Sequence, residues 1–128
     1  MLVIKAGQLS ALSQGRVAQF EARMSEHLRR VYPDWALADA VDPTQREALA
    51  AFVRQGRAGA ERYGLRLELD IARYLHVMHD LGEHFDESPE YPWAPALLTE
   101  PLSPAEKLNR LRDARDYALE ARRIVHGG

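Results

Sequence analysis

The sequence predicts an all-α fold, a single-domain bundle of four main helices plus one short helix. Three observations predict it. Apolar residues recur at three- to five-residue spacing over long stretches, the signature of one helix face. Proline, glycine and capping residues sit at the ends of those stretches. No strand alternation, hairpin turn or internal repeat stands out. At 128 residues the chain is one domain by length, and long enough to bury a core without staples.

The first helix is expected from Ala6 or Gln8 to Arg30. Its apolar stripe is Leu9, Leu12, Val17, Phe20, Met24, Leu28 and Val31. Gly15 weakens it by roughly 1 kcal/mol relative to alanine, which leaves room for a break or bend near Ser13-Gln14-Gly15. Pro33 stops it, because proline disfavours helical geometry in the residue before it. Residues 2–4 read as extended without a partner strand. Residues 32–42 are a connection that Tyr32 and Trp35 pack down.

The second helix starts at a natural N-cap, Asp42, with Pro43 in the first helical position and Gln45 where a capping-box side chain belongs. Leu49, Phe52, Val53 and Tyr63 supply its apolar face, Gly56 and Gly59 allow a neighbouring helix to approach closely, and Gly64 stops it. The third helix spans about Leu67 to Leu81 and ends at Gly82, with Ile71, Tyr74, Leu75, Met78 and Leu81 on one face. An acidic loop follows over residues 83–91, then a short helical turn from Pro92 to Leu98. Ser103-Pro104-Ala105-Glu106 starts the last helix, which runs to about Val125. Its inward stripe is Leu108, Leu111, Ala114 or Arg115, Tyr117 or Ala118, and Ala121 or Ile124. The terminal His126-Gly127-Gly128 is expected to fray.

Composition excludes several functions. Without cysteine there is no disulfide, thiolate metal site or cysteine nucleophile. A net charge of −2 draws the chain to neither nucleic acid nor anionic membrane. No apolar run has signal-peptide length, and none approaches the roughly 20 residues of a membrane helix, so the expectation is a soluble, cytoplasmic protein.

Tyr63 to Leu98 departs from routine helix grammar. His76 and His79 neighbour each other at i and i+3, with Asp80, Glu83, His84 and Asp86 close by, a set that could ligate zinc. The metalloprotease pattern needs histidines at i and i+4, so a hydrated polar face is the better reading and no metal is predicted. Asp80, Glu83, Asp86, Glu87 and Glu90 put five carboxylates in eleven residues. They match neither the spacing nor the mid-loop glycine of a calcium loop, and read as a solubilising loop, paired with the fold's own arginines or docking a basic partner. Tyr91-Pro92-Trp93-Ala94-Pro95 is either a plug closing one end of the bundle or an aromatic hot spot. Arginines of the second and last helices are interleaved with Asp113, Asp116 and Glu120, as on solvated faces rather than a nucleic-acid stripe. Gly-rich phosphate loops and a nucleophile elbow are absent, so no cofactor and no catalytic residue are predicted.

The start LVIKAGQLSAL leading to FEARMSEHLRRVYP, then VRQGRAGAERYGL, DIARYLHVMHDLGEHFDESPEYPWAPALL and the helix after LSPAEKL, carry a resemblance covering most of the chain. In these segments the chain resembles small all-helical accessory proteins encoded in type VI secretion effector clusters. The resemblance implies a non-catalytic adaptor or co-chaperone that helps load an effector. Its partner would be the effector, an effector adaptor or a spike-tip protein. The expected contact surface is Asp86, Glu87, Glu90, Tyr91 and Trp93. Asp86 and Glu87 would steer a basic partner and Trp93 would anchor it. The alternatives are a cytoplasmic immunity protein that blocks a cognate toxin and, less favoured, a metal-dependent enzyme using His76, His79 and His84.

Overall fold

The computed structural model describes the backbone of residues 6–35 and 42–126 and the side chains of residues 15–35 and 42–125. Every regular element among them is helical, so the fold is all-α. The five α-helices are α1 (Ala6–Val31), α2 (Pro43–Arg62), α3 (Glu68–Leu81), α4 (Trp93–Thr99) and α5 (Pro104–His126). Two 3-10 turns, Pro33–Trp35 and Phe85–Glu87, complete the described elements. The chain divides into two compact units, residues 1–54 and 55–128, with α2 running through the division. The expected strand-like residues 2–4 and the terminal glycines lie outside the described residues, as does most of the first connection.

In the first unit α1 runs unbroken through Gly15, so the helix is not broken there. One glycine costs roughly 1 kcal/mol, too little to interrupt a helix that buries a continuous stripe. Phe20, Met24 and Leu28 form that stripe. Val31 was expected to extend it but is 46% exposed, because the chain leaves the helix there. Leu9 and Leu12 lie outside the described side chains. After the turn, the Trp35 ring packs 5.7 Å from that of Phe52. Asp42 caps α2 as its sequence predicts: its Oδ1 accepts the backbone N–H of Thr44 at 3.1 Å and of Gln45 at 3.2 Å. Leu49, Phe52 and Val53 are buried behind it.

In the second unit α2 ends in a complete Schellman motif. Leu65 N–H reaches the Ala60 carbonyl at 2.9 Å, and Gly64 N–H reaches that of Glu61 at 3.0 Å. The motif needs a left-handed residue, and Gly64 supplies it at φ +82°. Leu65 is fully buried, the apolar contact that accompanies such a stop. Lys107 of α5 adds a second cap. Its ammonium donates to the Tyr63 carbonyl at 3.0 Å, placing a cation at the negative end of α2.

Gly56 and Gly59 are where α3 comes closest to α2. A Cβ on Gly56 would stand 2.2 Å from Leu75 Cδ2 and 2.9 Å from Met78 Sδ; one on Gly59 would stand 3.3 Å from the Tyr74 hydroxyl. The two small residues are therefore a packing requirement, as the sequence predicts. α3 is buried on more than one stripe, at Ile71, Tyr74, Leu75, Val77, Met78 and Leu81, because α5 also packs against it. Ser103 caps α5 through Glu106 N–H at 3.2 Å. Leu108 and Leu111 of α5 and Ala94 and Leu98 of α4 complete the core. No helix among the described residues is long and apolar enough to cross a membrane.

Candidate functional site

The structure divides the five expected contact residues into two sets. The first set belongs to a packed corner built on α3. Tyr74 is its centre, with the Tyr63 ring 6.4 Å away and the Phe85 ring 5.4 Å away, both tilted. Gly82, at φ +117°, ends α3 and turns the chain so that Phe85 drops into the core. Asp86 follows it inward. The sequence places Asp86 on an exposed loop, where it steers a partner; it is instead only 7% exposed and accepts the Tyr63 hydroxyl at 2.6 Å. The Arg62 guanidinium lies 3.9 Å from Asp86, 3.9 Å from Glu87 and 6.0 Å over the Tyr63 ring. A buried carboxylate is tolerable only with such partners. Burial first, then the hydrogen bond to Asp86 and its charge, push the Tyr63 hydroxyl up to about 12. Burial foremost, and Asp86 next, raise Tyr74 as well.

The second set faces a groove along α5. Residues 88–94 fold as successive turns, with Tyr91 N–H to the Ser88 carbonyl at 3.1 Å and Ala94 N–H to the Tyr91 carbonyl at 3.0 Å. They tuck Tyr91 inward, so that it too is buried, while Trp93 stays half-buried with its ring 5.8 Å from that of Tyr91. Arg122 of α5 donates to the Tyr91 hydroxyl and stands 3.5 Å from the Glu90 carboxylate. Burial raises the Tyr91 hydroxyl, and Arg122 opposes that rise. The groove, about 330 Å³, is lined by Glu90, Tyr91 and Trp93 on one side and by Tyr117, Ala121 and Val125 of α5 on the other.

Tyr117 and Ile124, expected as alternatives on the inward stripe, are instead 78% and 67% exposed, and Val125 is 74% exposed. The groove's α5 wall was missed as a functional feature. Its signal is present in the sequence, because Tyr117, Ala121 and Val125 recur at i, i+4 and i+8.

The acidic run pairs largely with arginines of the chain itself. Asp80 lies 3.4 Å from Arg115, Asp86 and Glu87 share Arg62, and Glu90 meets Arg122. The histidines are not gathered into one site. His76 lines a recess against α5, His79 Nδ1 lies 3.1 Å from Asp80, and His84 Nδ1 lies 3.4 Å from the Gln55 amide. Among the described residues no three His, Asp or Glu side chains are grouped to hold a metal.

No protein-family model, curated protein or solved structure matches the chain.

Proposed function

We propose that this chain is a non-catalytic, cytoplasmic accessory protein that binds another protein in the groove along α5. One observation carries the reading: Tyr117 and Val125 are large, apolar and mostly exposed on the C-terminal half of α5, and they line the groove with the half-buried Trp93. Contiguous apolar surface of this kind marks interaction sites, and Trp and Tyr dominate the energetics of such contacts. Their neighbours Glu90 and Arg122 satisfy each other, so the grip is apolar and the charges form its rim. Asp86, buried in the Tyr63 corner, is left as a structural acceptor, and Tyr91 lines the groove from its buried side.

The sequence resemblance supplies the partner's class: an effector, an effector adaptor or a spike-tip protein of a type VI secretion cluster, with this chain acting as a loading helper. Purified chain and the effector or adaptor encoded beside it provide the test. Tyr117→Asp and Trp93→Ala should each weaken the complex roughly tenfold or more, with helical content and melting of the Tyr117 variant unchanged. Equal affinity in both variants would remove the groove from the interface. Co-expression with the toxin separates the helper from the immunity alternative, because only an immunity protein rescues the cell.

A further inference from the structure

Between α3 and α5 lies a second recess, of about 250 Å³, with a different chemistry from the groove. Its walls are Arg73, His76 and Val77 of α3, and Leu108, Arg112 and Arg115 of α5. Each helix presents its three residues at one-turn spacings, so each set shares one face. Val77 and Leu108 are almost fully buried and make an apolar floor. Three arginines line the recess, and no carboxylate is among its lining residues.

The three are not equally neutralised. Arg115 is firmly held between two carboxylates, 3.0 Å from Asp116 and 3.4 Å from Asp80, and its side chain is only about one-fifth exposed. Arg112 meets its sequence neighbour Asp113 at 3.2 Å, but these side chains are 51% and 71% exposed, so solvent screens the pair. Arg73 donates to Asn109 Oδ1 at 2.8 Å, a neutral acceptor that does not offset its charge. The charge of Arg73 is therefore offset by no carboxylate in this contact, and that of Arg112 only by an exposed pair, beside an apolar floor. Guanidinium forks match the paired oxygens of phosphate and carboxylate, which a point charge does not. The volume falls below the roughly 300–1,000 Å³ of drug-sized ligand pockets, so the fitting ligand is small.

We infer that the α3–α5 recess binds a small multivalent oxyanion, a phosphomonoester or a dicarboxylate, through Arg73 and Arg112, with Arg115 held by Asp80 and Asp116 as the fixed wall. This site is independent of the protein-binding groove. The test is calorimetric and NMR titration of the full chain with inorganic phosphate, glycerol 3-phosphate and succinate at constant ionic strength, with chloride as the blank. Saturable binding is expected, with amide shifts concentrated in residues 73–77 and 108–115. Binding of the phosphates but not succinate assigns a phosphomonoester; the converse assigns a dicarboxylate. Arg112→Gln and Arg73→Gln should each weaken binding roughly tenfold with melting unchanged. No saturable response to any of the three anions, or unaltered affinity in both variants, overturns the site.

Discussion

Asp86 and Glu90 carry the same charge in the same loop, and the fold uses them in opposite ways. Asp86 is drawn into the core beside Phe85 and accepts the Tyr63 hydroxyl. Glu90 stays at the rim, its side chain 65% exposed and paired loosely with Arg122. The corner at Asp86 is where the loop is tied to the helices; the rim at Glu90 is where it meets solvent and, on the proposed reading, a partner. The same sign of charge thus serves as a structural acceptor at one end and as a boundary of apolar surface at the other. What separates them is the neighbouring side chain. Phe85 must be buried, whereas Glu90 precedes a tyrosine whose hydroxyl is reached from the helix surface by Arg122.

The comparison breaks most visibly at Phe85. Phe85→Ala should cost about 3–5 kcal/mol in denaturant unfolding, because it empties the contact with Tyr74 that anchors the corner. Asp86→Ala should cost less, about 1–3 kcal/mol, by leaving the Tyr63 hydroxyl without its acceptor. The same pair predicts a pH dependence. Folded Tyr63 keeps its proton up to about 12, whereas the unfolded chain releases it near about 10. The folded state binds more protons in that window, so stability is intact below about 10 and falls as pH rises toward 12. Tyr63→Phe should make that alkaline fall shallower in pH-dependent denaturation. Glu90→Ala sits at the small end. It should change stability by under about 1 kcal/mol, since its ion pair is exposed. A Glu90→Ala loss as large as that of Asp86→Ala would erase the distinction between corner and rim.

Much of the fold was legible in the chain, and the legible parts share a cause. Asp42, Pro43, Ser103 and Pro104 start helices, and Gly64 and Gly82 end them, where the pattern places them. The short helix was expected at Pro92–Leu98 and runs Trp93–Thr99. At the candidate site, the sequence put Asp86 on an exposed loop where the fold buries it, the burial of Tyr91 agrees with its reading as a plug, and the exposed α5 wall was not anticipated. Glu90 is exposed, as its place in the loop predicts, and Trp93 is half-buried, between the plug and the hot spot that its sequence allows. Lys107, one of only two lysines in the chain, carried no sign that it would be buried against a helix end.

Caps and stops are decided within about four residues, so the sequence by itself determined the helices, their ends and the glycines at which two of them meet. Burial and pairing join residues far apart. Tyr63 meets Asp86 across 23 positions, Tyr91 meets Arg122 across 31, and Lys107 reaches Tyr63 across 44. Only the tertiary structure decided which acids of the loop became internal acceptors, which stayed at the rim, and which apolar side chains of α5 were left facing water. A carboxylate's role is set by the partner that the fold brings to it, and no local pattern encodes that partner.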